Sequence, residues 1–429
     1  MKTDPQGTPG TPGASSTPGR NTALAGPAKP SNRSSIRPGN LGTVLRLLRD
    51  SGPRSRARIA TETGLPKATV SSLIGELVEL GLVREGAAER EGAIGRPGLA
   101  VEIDGRAICG VGVEINVDYL SVIALDLRGE VLTERRLAVD VRGSGPEPVL
   151  DSTAQLVKET VAALRKRGIR TVGVTMAAPG AIDLQRGVVE FASNIGWRDV
   201  AAVAGLRRRL GPDAPPVLLE NDAKLGAIAE SVVASAAGTY DLVCLTGETG
   251  VGAGIIANGQ LLRGIGGFAG EIGHMDLTRS DDPCSCGRRG CWETVVGLTP
   301  LLNAAADPDD PVRDPSVDLE QRLTQLIGRA EAGDQRTLAA LDRLATGLGP
   351  GVALLMNLLN PRLIVLGGHF AHLGGYLIDR VTRDVHERVL APDAGGCEIG
   401  LSTLGFTAAA RGGALLALDA VYQDPAESS

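Results

Sequence analysis

Residues 271–293 read EIGHMDLTRSDDPCSCGRRGCWE and gather His274, Cys284, Cys286 and Cys291 within eighteen positions. Three of the chain's six cysteines are placed here. Three thiolates and one imidazole form a closed, four-coordinate donor set suited to Zn²⁺. The Cys-x-Cys step is shorter than the usual finger knuckle, so spacing alone leaves the metal open. Scattered core cysteines beside a surface histidine would be the plain alternative. Gly287 and Gly290 oppose it, because a packed helix or strand does not favour glycine. A fully ligated zinc pins a loop instead of doing chemistry. Glu271, three residues before His274, and Glu293, two after Cys291, are therefore expected to be held rigid by the same clamp.

Outward from this stretch the pattern alternates between strands and helices. AICGVGVEINVDYLSVIALDLRGEVLTERRLAV, from Ala107, reads as three β-segments with glycine turns, and residues 147–168 read as a helix. TVGVTMAAPGAID is a strand running into a turn, VLLENDAKLGAIAES a strand passing directly into a helix, and LVCLTGETGVGAGIIANGQLL a hairpin with a glycine-rich turn. Helices fill roughly 317–360, and NPRLIVLGG is a further strand. Such alternation predicts an α/β fold with two lobes.

The N-terminal end is different. Residues 1–40 are rich in Pro, Gly, Ser and Thr, with five basic residues against one acid. They bury too little to offset their ordering entropy and are expected to form a disordered arm, as are residues 424–429. LGTVLRLLRD, RSRARIATETG and LPKATVSSLIGELVELG then predict three short helices, the third entered through Gly64-Leu65-Pro66. In the third, Val70, Leu73, Ile74, Leu77 and Leu80 make an apolar stripe, while Lys67, Ala68, Thr69, Ser71 and Ser72 cluster at its polar N-terminal face. This is a helix-turn-helix layout with those five residues placed for a DNA major groove. LVREGAAEREGAIGRPGLAVEI follows as two strands about a glycine-rich tip, a wing. Arg96, between Gly95 and Pro97, is shaped to enter an A·T-rich minor groove. A small structural bundle is the competing reading of the three helices, and the wing argues against it.

Charge agrees with that division. Residues 1–104 carry 14 Lys/Arg against 10 Asp/Glu, and the remainder 30 against 40, a basic head on an acidic body. The chain's 429 residues suffice for two or three domains. Aromatics are only 2%, so the core must be built from Ala, Val, Leu and Ile. With no leader peptide, no apolar run long enough to span a bilayer and cysteines that suit a reducing compartment, a cytoplasmic protein with no membrane partner is expected.

In the body, Asn221-Asp222 lies where a strand feeds a helix, and AAPG at 177–180 closes another strand with a ligand-hugging turn. With Glu271, His274 and Glu293 these make a set of carboxylates and an amide able to accept from sugar hydroxyls. The run TGVGAGIIANGQLLRGIGGFAGEIGHM followed by CSCGRRGCWE resembles the signature of the ROK family of repressors, open-reading-frame proteins and sugar kinases. The resemblance implies an actin/hexokinase-like, ribonuclease-H-like body from about residue 105 to 423, behind a winged helix-turn-helix at 41–104. It further implies that Gly180, Asn194, Asn221, Asp222, Glu271, His274 and Glu293 contact a sugar. Asp222 would be the kinases' catalytic base, and His274, Cys284, Cys286 and Cys291 would be the zinc ligands.

One departure is equally informative. The family's kinases hold ATP phosphates with an Asp-x-Gly-Gly-Thr-Lys hairpin, and another Asp lies twelve residues after the first. Here Glu114 stands twelve residues before Asp126, which puts Asn116, Val117, Asp118 and Tyr119 in the Gly-Gly-Thr-Lys places. Two glycines and the lysine are lost, and a negative charge is added at Asp118. The second loop, Thr249 to Gly254, persists. The expected protein is therefore not an enzyme. It is a sugar-responsive transcriptional regulator, usually a repressor of carbohydrate genes. Its partners would be a double-stranded operator and a sugar or sugar-phosphate effector, and it would act as a homodimer or homotetramer. An ATP-dependent sugar kinase with Asp222 as base is the alternative.

Overall fold

A computed structural model of the chain describes residues 36–88, 99–277, 280–391 and 396–427. Helix α1 spans Ile36–Ser51, so five residues assigned to the arm are helical, because the apolar stripe of α1 draws the turn before it into the helix. Residues 1–35 lie outside the described residues. At the other end Asp424 accepts from the backbone N–H groups of Ala426 and Glu427, so residues 424–427 form a capped turn where a loose tail is expected.

The head continues with β1 (Arg54–Ser55), α2 (Arg56–Thr63), α3 (Lys67–Glu79), β2 (Val83–Ala88) and β3 (Leu99–Ile103). Ser55 caps α2 by accepting from the Arg58 N–H, and Gly64, at φ 72°, ends it in the left-handed conformation that glycine adopts without penalty. Strand β3 pairs antiparallel with both β1 and β2, so the wing forms. Its tip, with Gly95, Arg96 and Pro97, lies outside the described residues.

The first lobe contains β4 (Ile108–Ile115), β5 (Tyr119–Asp126), β6 (Val131–Ala138), α4 (Val141–Ser144), α5 (Pro146–Lys166) and β7 (Arg170–Ala178). A flap of β8 (Ala181–Asp183), β9 (Val188–Ala192) and β10 (Trp197–Val200) follows, then α6 (Ala202–Leu210) and β11 (Val217–Asn221). The second lobe has α7 (Asp222–Ala236), β12 (Leu242–Gly247), β13 (Val251–Ala257), β14 (Gln260–Leu261), α8 (Glu293–Val296) and α9 (Leu298–Ala305). It is completed by α10 (Leu319–Glu331), α11 (Gln335–Leu359), β15 (Leu363–Gly368), α12 (His369–His372), α13 (Gly374–His386) and β16 (Glu398–Leu401). The last helix, α14 (Ala408–Gln423), crosses back to the first lobe.

The two lobes repeat one design. Their sheets run β6-β5-β4-β7-β11 and β14-β13-β12-β15-β16, each with three antiparallel strands followed by two parallel ones. The repeat sets the hairpin β4–β5 in one lobe in the same place as β12–β13 in the other. Helix α14 lies directly on β4, where a Cβ on Gly112 would sit 1.8 Å from the Ala410 carbonyl oxygen. Its far end joins the head: Leu41, Val44, Leu45 and Leu48 of α1 share one core with Ile123 and Leu125 of β5 and with Leu418, Val421 and Tyr422 of α14.

Helix α11 is, by length and composition, apolar enough to cross a membrane, unlike anything expected from the sequence. It carries Pro350 and buries Leu344, Leu348, Val352 and Leu355 in the second lobe's core. All six cysteines are unpaired thiols.

Candidate ligand cleft and metal knuckle

A cavity of about 620 Å³ opens between the lobes, and Gly180, Asn194, Asn221, Asp222, Glu271, His274 and Glu293 all line it. The chain brings together these seven positions, spread over 114 residues, from the turn after β7, the β9–β10 loop, the β11–α7 junction, the knuckle and the start of α8. Gly180 follows β7 with φ 83°, and a Cβ there would meet the Phe191 carbonyl oxygen at 2.2 Å, so the AAPG turn admits only glycine. Asn221 is committed at both ends: its amide donates to the Gly180 carbonyl at 3.1 Å, and its Oδ1 caps α7 by accepting from Lys224 N–H. It positions the turn as much as it faces the cavity. Asp222 opens α7, where the helix N-terminus favours a carboxylate. Burial raises its pKa to about 6, with the charge of Glu271 adding to the effect and the Ala223 N–H opposing it.

The ligating atoms of His274, Cys284, Cys286 and Cys291 lie within 4.8 Å of one another. Cys286 and Cys291 sulfurs are 3.6 Å apart and Cys284 Sγ is 3.7 Å from His274 Nδ1, separations that four donors around one tetrahedral ion would have. Short bridges pairing Asp276 with Cys291 and Pro283 with Arg289 fold the loop back on itself, and Gly287 and Gly290, at φ 90° and 71°, make the reversals possible. These residues fit a metal by geometry and by donor chemistry.

The knuckle touches the cleft in two places. Glu293 Oε1 lies 2.9 Å from Cys284 Sγ, while the same residue lines the cavity. Ser285, the residue between two of the cysteines, donates to Asn194 Oδ1 at 2.8 Å, across to the first lobe's flap. Sequence reasoning did not single out Ser285, nor Phe268, which stands 52% exposed on the cavity wall, nor Arg288. Ser285 was legible in principle, as the only side chain inside the Cys-x-Cys step.

The residues in the places of the expected phosphate hairpin bond among themselves and to the other lobe. Glu114 is buried and accepts from Asn116 Nδ2 at 3.1 Å, from Tyr119 OH at 3.0 Å and from Ser121 at 3.3 Å. Asn116 Nδ2 also donates to Glu248, in the turn between β12 and β13 of the other lobe, and Tyr119 OH lies 3.3 Å from the same carboxyl. Burial raises Glu114 to about 7. Burial, together with the charges of Glu114 and Asp222, pushes Glu248 well above the carboxylate range. Asp118, expected to repel a polyanion, is paired with the buried Arg322 of the second lobe at 2.7 Å, so its charge is largely offset. A buried carboxyl cluster thus occupies these positions, and the Asp118 charge is paired. Glu248 was missed although it immediately precedes the glycine loop that the sequence reading quoted.

On the head, Lys67, Ala68, Ser71 and Ser72 of α3 are exposed and Thr69 is half-buried, while Val70, Leu73, Ile74 and Leu77 are buried. Arg56 steadies the face from α2 by donating to the Ser71 carbonyl and pairing with Glu85 of the wing.

Comparison with known proteins follows the same division. The ROK family model matches residues 110–420, and the IclR helix-turn-helix domain matches residues 40–86. The chain is 29% identical over 374 residues to the xylose repressor of Bacillus spizizenii, covering 87% of this chain and 93% of that protein. A crystal structure of a ROK family transcriptional regulator, described as a homologue of the E. coli MLC protein, superposes with a TM-score of 0.72 at 23% identity, over 91% of this chain and 97% of that one. A ROK family glucokinase from Streptomyces griseus, in complex with glucose and AMPPNP, superposes with a TM-score of 0.61 at 26% identity, over 72% of this chain and 99% of that one.

Proposed function

This chain belongs to the ROK family, and we propose that within it the protein is a sugar-responsive, DNA-binding transcriptional regulator, a repressor of carbohydrate genes, and not a kinase. The observation that carries the reading is the shared core of α1, β5 and α14, which welds a helix-turn-helix head to a body built around a carboxylate-lined cleft. Head and cleft are parts of one packed unit, so a change in one has a physical route to the other.

Sugar hydroxyls donate to Asp222, Glu271 and Glu293, while Asn194 and the Gly180 turn set the ring's place. Phe268 offers an apolar face to the ring's C–H groups. The lining also includes Glu230 and Glu248, against Arg288 as a cationic side chain. That imbalance favours an unphosphorylated sugar over a sugar phosphate. Zn²⁺ held by His274, Cys284, Cys286 and Cys291 supplies a rigid cross-link for the loop that presents Glu271 and Glu293. Through Ser285, the same loop fixes Asn194.

Two bodies associate so that the paired heads span a two-fold-symmetric operator, with α3 in the major groove and Arg96 in the adjoining minor groove. Sugar closes the lobes and changes the spacing of the heads. An effector that prefers the closed form ~100-fold supplies about 2.7 kcal/mol of coupling. The glucokinase likeness keeps a second reading alive, in which Asp222 deprotonates a sugar hydroxyl for ATP. Coupled ADP assays with hexoses, pentoses and N-acetylhexosamines separate the two. The regulator reading expects no ADP above background, and sugar-dependent ADP that vanishes in Asp222→Ala would establish the kinase instead.

A further inference from the structure

The β4–β5 turn and the β12–β13 turn, equivalent positions in the two halves, meet at one buried cluster. Asn116 is fixed by its own backbone neighbour: Val117 N–H donates to its Oδ1 at 2.7 Å, so its amide nitrogen faces the carboxyls. That nitrogen carries two hydrogens and serves Glu114, Glu248 and, at 3.2 Å, the Tyr119 oxygen. Tyr119 carries one hydrogen and lies within reach of both carboxyls. The amide and the phenol hold three hydrogens for five close contacts among these groups, while Ser121 serves the other oxygen of Glu114. A proton on one of the two carboxyls completes the set, and removing it leaves two like charges in a site with little water.

We propose that Glu248, gripped by Asn116 and Tyr119 against Glu114, is a proton-dependent latch between the two lobes, set in the wall of the same cavity. With the proton in place the carboxyl pair shares the donors and the hairpins stay joined. When it leaves, repulsion between Glu114 and Glu248 drives the hairpins apart and admits water.

The groups facing the latch fit this role. Asp222, from α7, adds negative charge and reinforces proton retention. Arg136, from β6, stacks 3.7 Å over the Tyr119 ring and opposes it, but its charge is divided with Glu320 at 3.2 Å and Asp318 at 3.8 Å. His369, beside the β12 end, is buried with its pKa pulled down to about 4, so it brings no charge at neutral pH. The Asp118–Arg322 pair also crosses the lobes, at 2.7 Å, and holds the register while the latch opens.

The sign follows from linkage. A carboxyl whose pKa is higher in the latched form binds its proton more tightly there, so latching is favoured below the open-form value. The preference is lost as pH rises through the latched-form value, which for Glu114 is about 7. Across the interval the latched-to-open ratio falls by up to about tenfold per pH unit for each proton.

The test uses the full-length protein without any sugar, so its outcome is independent of what the cleft binds. Spin labels are attached through unnatural amino acids at the exposed positions Lys158, in the first lobe, and Glu331, in the second. Pulsed dipolar spectroscopy then reads the lobe-to-lobe distance at about pH 5.5 and about pH 8.5. In the parent protein the longer distance gains at least tenfold in weight on going to the higher pH. Glu248→Gln, which keeps the hydrogen bonds without the charge, holds the shorter distance at both. A distribution that does not change with pH, or a pH response that survives Glu248→Gln, overturns the latch. Because Gln is nearly isosteric with Glu, this arm stands even where a more drastic replacement fails to fold.

Discussion

Asp222 combines a helix N-terminus, which favours its charge, with burial and a neighbouring Glu271, which disfavour it. Burial dominates and holds the carboxyl near 6. Its ionised form is the better acceptor for a sugar hydroxyl, so sugar affinity should rise with pH through about 6 and level off above it. Isothermal titration with D-xylose and D-glucose across that range checks this; Asp222→Asn should lose the acid limb and most of the affinity. The same shift costs folding stability as pH rises through about 6, since the folded state holds the proton more tightly than the unfolded chain. Asp222, Asn221, Gly180, Glu271, His274 and Glu293 were legible as cleft positions from the turns and the cysteine cluster beside them, whereas Asn194 came only through the family resemblance. What could not be read was the second use of Asn221 as cap and strut, or Glu248's position against Glu114, 134 residues away in sequence. A buried carboxyl pair leaves no local pattern, because its partners come from different lobes.

Helix α3 and the metal knuckle are the elements where local sequence was most informative. The stripe of Val70, Leu73, Ile74 and Leu77 is buried as its 3.6-residue period requires, and this leaves Lys67, Ser71 and Ser72 outward. Replacing Lys67 or Ser71 should change base preference by about 1–3 kcal/mol where a base contact is lost, measured by anisotropy on a randomised operator library. Arg96→Ala should weaken binding chiefly at A·T-rich flanks. Uniform loss on every sequence would mark it as a plain phosphate contact. For the knuckle, chelation should lower the melting temperature and blunt the sugar response together, because the loop carrying Glu271 and Glu293 loses its cross-link. Blunting without a melting shift would place the metal's effect elsewhere. The start of α1 was misjudged by five residues, since the Pro- and Gly-containing stretch at its front reads as loop locally.

At the scale of the molecule, the strand alternation correctly implied two lobes, but not that both sheets share one strand order. Nor did it show that the chain's last helix returns to close the first lobe and receive the head. Gly42 of α1 marks the junction: a Cβ there would lie 2.4 Å from the Tyr422 carbonyl oxygen, and Arg49 stacks 4.6 Å over the Tyr422 ring. Gly42→Leu should therefore pry the head from α14, retaining operator binding while uncoupling it from sugar, as read by operator titrations with and without ligand.

The most direct measurement of the central claim is operator affinity of the full-length protein, by fluorescence anisotropy, across a panel of unphosphorylated pentoses, hexoses and N-acetylhexosamines with MgATP present. The account predicts that at least one sugar shifts the dissociation constant by about tenfold or more while no ADP accumulates. An operator affinity indifferent to every sugar, alongside steady ADP production with one of them, would contradict it.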